Sequence, residues 1–230
     1  MPTQSHTILK VLVGSHAHGL ATEESDLDYR RVYVIPTEDM FHLGFKPPTT
    51  HWTKGDNDET AWEIGPFLLL ATQGHPLVLE TLLAPVVMAD RWGEDLRSLF
   101  SVLWSPHKAL EAFTNYAHNQ RTKLLKKKDE RPAKYAAAFI RVLYNLCELL
   151  ETGQYTIDIA QTPMGQQLSD IKQGQYRLGD VIELGEELMV KAQSLVRTQQ
   201  DLSDLGRIND FLVTIRRAFL VPHPSGQCSE

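Results

Sequence analysis

A chain of 230 residues is long enough to bury one large hydrophobic core or two smaller ones, so it needs no disulfide or structural metal to fold. Its formal net charge of −6 excludes a surface that is basic throughout, although a local basic patch remains compatible with it. The two cysteines form no metal-binding pattern, no apolar run is long enough to span a membrane, and no signal-peptide pattern opens the chain, so we expect a cytoplasmic protein.

The first part of the chain alternates short predicted strands with turns. TILKVLVGS predicts an apolar strand that stops at Gly14, and SHAHGLAT predicts a turn with a short helical segment. DLDYRRVYVIP is rich in β-branched and aromatic residues, which predicts a second strand that ends at Pro36. Residues 37–57 predict irregular chain, and DETAW, from Asp58 onward, predicts a third short strand.

Helical spacing dominates the rest of the sequence. EIGPFLLLATQGHPLVLETLLAP has helix-like apolar spacing, interrupted by Gly74, His75 and Pro76. HKALEAFTNYAHNQRTKLLKKK and PAKYAAAFIRVLYNLCELLETG predict two amphipathic helices, the second ending at Gly153. Residues 154–179 predict mostly loop, and helices fill most of the chain from there to Leu220.

These elements predict an α/β fold of the α+β kind. A small mixed sheet is flanked by helices, and an all-helical C-terminal region forms the other wall of a cleft. We expect a first domain over residues 1–105, a helical domain over 106–222 and a flexible tail over 223–230.

Carboxylates mark the start of the second and third predicted strands. Alternate residues of a strand share a face, so we expect Asp26 and Asp28 to project together, with Asp58 opening the next strand nearby. Close carboxylates repel each other unless a cation lies between them, and their oxygens suit Mg²⁺, with Mn²⁺ as a substitute. Three of them would hold two metal ions around a phosphoryl group, and Asp58 would accept the proton of an attacking hydroxyl.

The pair Gly14–Ser15 precedes these carboxylates and favours an anion. Glycine lets a phosphate approach the backbone closely, and the amides at a helix start after Ser15 would donate to it. No Gly-Lys-Ser/Thr follows, so this segment is not a Walker loop.

The ordered set of motifs resembles the DNA polymerase β-like nucleotidyltransferase superfamily. GSHAHGLATEESDLDYRRVYV resembles the pattern GS-x-x-(Y/F)-G-x-A-x-x-x-S-D-x-D-x-R of the branch that includes the RNA-repair-associated, RNA-ligase-linked polymerases. DETAWEIGPFLLLATQGHPLVLETLLAP and KYAAAFIRVLYNLCELLETGQYTI are similar to two later blocks of that branch, so the resemblance spans roughly residues 11–155. It implies a polymerase β-like palm core, Mg²⁺ and an NTP such as ATP.

The resemblance also sets the register of the third carboxylate. Trp62, Glu63 and Ile64 align with an aromatic-acid-Leu pattern, which assigns the third position to Asp58 rather than to Glu59. The sequence departs from the branch in three places. Gly65–Pro66 stands where the branch has Arg-Lys, which removes a basic residue and alters substrate contacts. His75 stands where the branch has Asn, and His18 where it has an aromatic residue.

Several cations are candidates for binding a nucleotide. Arg30 shares the face of Asp28 and either pairs with the acids or meets a phosphate. Lys134 and Arg141 are seven residues apart on one helix face, and both match cations of the family block. Arg141 interrupts an apolar stretch and therefore needs an anionic partner, either a triphosphate, which we favour, or a buried acid.

Other polar residues keep open interpretations. His16, His18 and His75 match no zinc spacing, and we expect local hydrogen bonds or contact with substrate. Glu80 either caps or pairs within its helix or has a functional role.

The predicted function is Mg²⁺-dependent transfer of a nucleoside monophosphate from an NTP to an acceptor hydroxyl, with release of pyrophosphate. We expect an RNA end as acceptor, bound by the basic residues between Arg121 and Lys134. A small-molecule or protein nucleotidyltransferase of the AMP-adding type is one alternative, favoured by the acidic net charge, and a non-catalytic antitoxin-like or regulatory module is another. We expect no membrane partner, and the sequence does not determine the oligomeric state.

Overall fold

The computed structural model describes residues 5–23, 25–46, 50–53, 58–197, 200–201 and 203–220. Within these ranges the chain forms a five-stranded mixed sheet and ten α-helices, which confirms the predicted α+β class. The predicted tail, residues 223–230, lies outside the described residues.

The sheet has the strand order β3-β4-β2-β1-β5. Its strands are β1 (His6–Val13), β2 (Asp28–Val34), β3 (His51–Thr53), β4 (Asp58–Glu63) and β5 (Val86–Ala89). β1 is antiparallel to β2 and β5, β3 is antiparallel to β4, and β2 is parallel to β4. The three strands predicted from the sequence are β1, β2 and β4. The prediction of irregular chain is wrong at β3 and over a 3₁₀ turn at Thr37–Phe41, where short pieces of regular structure form.

Helices make up most of the remaining chain. They are α1 (Gly14–Ala17), α2 (Ile64–Thr72), α3 (Pro76–Leu83), α4 (Arg91–Ser98), α5 (Phe100–Leu103), α6 (Pro106–Leu125), α7 (Pro132–Thr152), α8 (Gly165–Lys172), α9 (Leu178–Val196) and α10 (Leu205–Ala218). Gly153 ends α7 in the left-handed region, as predicted, with φ at 71°. None of the described helices combines the length and apolar composition that crossing a bilayer requires.

The prediction that residues 154–179 are mostly loop is wrong over Gly165–Lys172, where α8 forms. Leu168 and Ile171 are three positions apart on α8 and both are buried. The helix has only eight residues, and its polar side chains outnumber its apolar ones. Its stability therefore comes from packing against α7 rather than from a long apolar pattern of its own.

One apolar cluster extends from the sheet into the helices. Val11, Val32 and Trp62 contribute from the sheet, while Phe113 on α6 and Phe139 on α7 are fully or almost fully buried. Helix α7 packs against α6, α8 and α9 and forms the centre of the helical part. Because this cluster crosses residue 105, the division into domains 1–105 and 106–222 stays a prediction.

The last helix returns to the sheet. Arg216 on α10 donates from both terminal nitrogens to the carboxylate of Glu63, at 2.6 and 2.7 Å. The same carboxylate caps α2 by accepting from the Gly65 amide at 2.7 Å. The Thr37 hydroxyl donates to the Arg216 carbonyl at 2.6 Å, so α10 is held by side-chain and backbone contacts.

Two glycines test how closely the layers pack. A Cβ on Gly93 of α4 would lie 2.1 Å from the carbonyl oxygen of Ile8 in β1, whereas a Cβ on Gly179 of α9 would meet no atom within 4 Å. We expect Gly93→Ala to lower the free energy of unfolding by about 1–3 kcal/mol, the usual cost of overpacking. Gly179→Ala should raise it by about 0.5–1 kcal/mol through helix propensity. Urea denaturation measures both, and an unchanged midpoint for Gly93→Ala would contradict the packing of α4 on β1.

Candidate nucleotidyl-transfer site

A cavity of about 240 Å³ lies between the start of β2 and the helix α7. Its wall includes four cationic side chains, Arg30, Lys134, Arg141 and Lys172. Gly14, Ser15 and Asp28 also line it. The cavity thus unites six of the eight residues predicted for the site and adds Lys172, which the sequence analysis did not select.

Asp28 and Asp58 are direct neighbours in the parallel pairing of β2 with β4. Burial raises the pKa of the Asp28 carboxyl above its usual range, and the charge of Asp58 raises it further, while the Lys134 ammonium opposes both. Among the described residues, neither Asp28 nor Asp58 has a cation within ion-pair distance. The pair is therefore a site where a divalent cation would relieve repulsion.

Asp26 lies exposed in the loop just before β2, which begins at Asp28. Its negative charge is close enough to raise the pKa of Asp28 further. The expectation that Asp26 and Asp28 project from one strand face stays a prediction. Among the described residues, no group of three or more acidic, histidine or cysteine side chains is placed to hold a metal ion. Mg²⁺ needs only one or two protein carboxylates together with substrate phosphates, so Asp28 and Asp58 fit its requirements. The metal role of all three aspartates stays a prediction.

Gly14 is required where β1 turns into α1. Its φ is 68°, in the left-handed region, and a Cβ there would lie 2.2 Å from the Asp28 carboxylate oxygen Oδ2. The backbone therefore passes directly against the carboxylate, with no space for a side chain. Ser15 follows, and its Oγ accepts a hydrogen bond from Lys172 Nζ at 2.7 Å.

Arg30 and Arg141 share one buried acid, Glu80 on α3. Arg30 donates to Glu80 Oε2 at 2.7 Å and to the Leu77 carbonyl at 2.8 Å. Arg141 donates to Glu80 Oε1 at 3.3 Å. Within the protein the buried acid Glu80 is an anionic partner of Arg141, and the contact with a triphosphate that we favoured stays a prediction. Arg30 also pairs with an acid, but with Glu80 instead of an aspartate of the predicted set.

His18 completes the contacts of Glu80, through a hydrogen bond between its Nε2 and Glu80 Oε1. Burial raises the pKa of the Glu80 carboxyl, but Arg30, Arg141 and His18 more than offset this and hold it well below its usual range. Burial lowers the pKa of His18, and Arg141 lowers it further, although Glu80 acts in the opposite direction. These contacts favour an ionised Glu80 that pairs with groups from other parts of the chain rather than within its own helix.

Lys172, in the last turn of α8, reaches the cavity from the stretch predicted to be loop. Its ammonium donates to Ser15 Oγ and to the Leu20 carbonyl. Burial lowers its pKa, and repulsion from Lys134 lowers it further, so the two ammonium groups lie within electrostatic reach of each other. The spacing of Leu168 and Ile171 just before Lys172 is the one sequence signal that would have placed it on a packed helix.

Of the two other histidines, His16 makes a local contact, whereas the buried Nδ1 of His75 has no hydrogen-bond partner among the described residues. His16 Nε2 lies 3.0 Å from the carbonyl oxygen of Ser25, which fixes the loop that leads to Asp26. His75 precedes α3 at the N-cap position, and burial lowers its pKa, with Arg30 lowering it further.

The basic segment, residues 121–134, is partly neutralised. Arg121 donates to Glu186 at 3.0 Å, and Lys123 lies over the ring of Tyr135. Lys126 and Lys127 are exposed, and within the described chain no carboxylate lies within 4.0 Å of either ammonium. Both ammonium groups therefore face solvent, and in the sequence they precede the cavity residue Lys134 by eight and seven residues.

Comparison with known proteins identifies the family. The RlaP family, described as the RNA repair pathway DNA polymerase beta family, matches residues 2–210. The chain belongs to this family. The RlaP match confirms the assignment to the polymerase β-like nucleotidyltransferase family.

Two individual proteins are also similar to the chain. An uncharacterized 38.9 kDa protein in the nrdC-mobD intergenic region of Enterobacteria phage T4 is 31% identical over 110 residues, which is 41% of this chain and 33% of the phage protein. The match therefore spans a third of that relative's length. A nucleotidyltransferase-like protein of known structure from Exiguobacterium sibiricum is 8% identical, with a TM-score of 0.28, over 93% of this chain and 74% of the other. That likeness is too low to carry an argument about the site.

Lys172 offers a direct test of the cavity as an anion site. Lys172→Met should weaken binding of inorganic pyrophosphate about 10- to 100-fold, since a charge-assisted hydrogen bond contributes about 1.5–3 kcal/mol. Isothermal calorimetry measures the affinity. Lys191→Met is the control, because Lys191 pairs with Glu151 on the outer side of α9 and does not line the cavity. Equal affinities of the Lys172 variant and the wild type would contradict the assignment.

Proposed function

We propose that this RlaP-family protein transfers a nucleoside monophosphate from an NTP to a hydroxyl on the end of an RNA strand, with Mg²⁺ and with release of pyrophosphate. The family match supports the transfer reaction, and the arrangement of opposite charges in one cavity supports the way it is carried out. The RNA acceptor rests on the description of the family and on the basic segment.

The observation that carries the proposal is the separation of charge within the cavity. Arg30, Lys134, Arg141 and Lys172 line it, whereas Asp28 and its neighbour Asp58 stand where β2 and β4 begin. A polyphosphate needs the cations, and the reacting phosphorus needs metal-binding oxygens beside it. A chain with net charge −6 that gathers four cations around one cavity is arranged for an anionic ligand.

Each side chain of the site has its own role in the reaction. The acceptor oxygen attacks the α-phosphorus, the bond from that phosphorus to the oxygen bridging the β-phosphorus breaks, and pyrophosphate leaves with the electron pair. Asp58 accepts the proton of the attacking hydroxyl. Gly14 lets the triphosphate approach the backbone, while Ser15 and Lys172 donate to its oxygens. Bound Mg²⁺ would be held by Asp28 and Asp58, with Asp26 from the loop, and would neutralise charge on the phosphates.

The acceptor strand is proposed to follow the basic segment. Lys126 and Lys127 present unneutralised charge to solvent, and the chain continues from them to Lys134 in the cavity wall. A strand whose phosphates contact these lysines would bring its terminal hydroxyl toward Asp58.

A small-molecule or protein acceptor is the second candidate. It is favoured by the ion pairs that neutralise part of the basic segment, because Arg121 binds Glu186 and Arg131 lies 3.9 Å from Asp129. This second candidate predicts nucleotide transfer without salt-dependent RNA binding. Measuring the salt dependence of RNA affinity therefore distinguishes the two candidates.

Asp28→Asn tests the reaction and the electrostatics together. Incubation with labelled NTPs, Mg²⁺ and a panel of RNA, DNA, small-molecule and protein acceptors should show transfer by the wild type and at least about 100-fold less by the variant. Without metal, stability should stay equal or rise, because a raised folded-state pKa makes ionised Asp28 destabilising.

The stability difference between Asp28→Asn and the wild type should depend on pH in a defined direction. The folded-state pKa of Asp28 lies above its unfolded value near 3.9, so the cost of ionisation is present above the folded pKa and vanishes below the unfolded one. The stability advantage of Asp28→Asn should therefore shrink as the pH falls through this window. Glu59→Gln is the control for transfer, since Glu59 binds Lys10 and Arg31 away from the cavity. Full activity of Asp28→Asn would overturn the site.

The acceptor is tested through the salt dependence of RNA binding. Replacing Lys126 and Lys127 by Gln should lower RNA affinity and make the slope of log K against log salt shallower by about 1.4, at about 0.7 for each single-strand phosphate contact.

The matched control replaces Lys108 and Lys191 by Gln. Lys108 lies about 27 Å from Lys126 along α6, at 1.5 Å per residue, and the control loses the same charge. Equal slopes for the two double variants would contradict the RNA path, and transfer to a small molecule or protein without salt-dependent RNA binding would establish the second candidate.

A further inference from the structure

Glu80 joins four separate elements beneath the cavity. It lies on α3, and its carboxylate binds Arg30 from β2, Arg141 from α7 and His18, which follows α1. Only 1% of Glu80 is exposed, and the side chains of its three partners are exposed by 9–11%. No part of the transfer reaction proposed above uses this carboxylate.

The network is unbalanced in charge. Two guanidinium groups share one carboxylate, and within the described chain no second acid lies within ion-pair distance of either arginine. The three partners of Glu80 line the cavity, whereas Glu80 itself does not. The surplus positive charge is therefore presented to the cavity, where Lys134 and Lys172 add to it and Asp28, the one carboxylate that the described residues contribute to the wall, offsets only part of it. Buried charge without a counter-charge is costly, so an anion in the cavity would complete the network.

We propose that Glu80 is a positioning residue for the polyphosphate of the nucleotide. It holds Arg30 and Arg141 at fixed places in the cavity wall, and its negative charge limits how strongly that wall attracts anions. The inference rests on the proposed function for the identity of the anion as a triphosphate, and it concerns a residue that touches neither substrate nor metal.

Two opposite effects follow from removing the charge of Glu80. An anion in the cavity is attracted more strongly, because the carboxylate that partly neutralised Arg30 and Arg141 is gone. Without the carboxylate, Arg30 and Arg141 lose their fixed positions and no longer hold the phosphates in line for reaction. Turnover therefore falls although binding tightens. A residue that only stabilised the fold would not produce these opposite changes.

Two variants separate charge from position. Glu80→Gln keeps the shape and removes the charge, whereas Glu80→Asp keeps the charge and withdraws it by one methylene. Glu63→Gln is the matched control, because Glu63 is also 1% exposed and bound to an arginine, Arg216, but lies outside the cavity wall.

The experiment measures pyrophosphate affinity by calorimetry without metal, kcat and KM for nucleotide transfer, and the melting temperature of each variant. Glu80→Gln should bind pyrophosphate about three- to tenfold more tightly, from one added charge at intermediate dielectric, and its kcat should fall about 10- to 100-fold. Glu80→Asp should bind within about twofold of the wild type and also lose kcat. Glu63→Gln should lose thermal stability and keep both values.

The outcomes distinguish this inference from the proposed function. If a folded Glu80→Gln variant binds pyrophosphate no more tightly than the wild type, or keeps its kcat, the positioning role is overturned. If Glu80→Gln does not fold, an unchanged kcat of Glu80→Asp overturns it equally. If the wild type transfers no nucleotide while Glu80→Gln still tightens pyrophosphate binding, the proposed function fails and the role of Glu80 toward anions stands.

Discussion

A carboxylate that is buried and ionised needs cations and hydrogen-bond donors around it, and Glu80 therefore constrains the parts of the chain that supply its three partners. Breaking a buried ion pair by removing one partner costs about 3–5 kcal/mol, because the remaining charge is left without compensation. Arg141 therefore has to reach α3 from α7, Arg30 has to reach it from β2, and His18 has to follow α1 at the right distance. The sheet and the central helix are held in one relative arrangement, and the cavity is the space that this arrangement leaves.

A second constraint acts at the end of β1. The parallel register places Asp28 beside Asp58, so two negative charges are adjacent. The backbone at Gly14 contacts the Asp28 carboxylate so closely that a side chain at this position would not fit. Such a pair of charges is unfavourable for the isolated protein, because burial raises the pKa of Asp28 and the charge of Asp58 raises it further. Its position beside a cationic cavity suits a site that is stabilised when metal and phosphate arrive together.

The sequence predicts the parts of this site that depend on local pattern, and not those that depend on packing. β1, β2 and β4 follow from their β-branched residues, and the motif register selects Asp58, which the structure pairs with Asp28. The exposed place of Asp26 was not predictable from strand alternation, because the strand begins only two residues later. The partner of Arg141 was undecided, since an apolar helix with one arginine needs an anion without specifying which. Lys172 was missed because α8 is a short helix held by its neighbours.

The return of α10 to the sheet limits how this fold can be divided or recombined. A fragment that kept the strands with α2 to α5 but lacked α10 would retain the Glu63 carboxylate without Arg216, and α2 would begin at an uncompensated buried charge. Thr37 would also lose its contact with the Arg216 carbonyl. An exchange of the helical half between related proteins therefore has to treat α10 as part of the sheet layer, so that the unit of exchange is discontinuous in sequence although it is continuous in space.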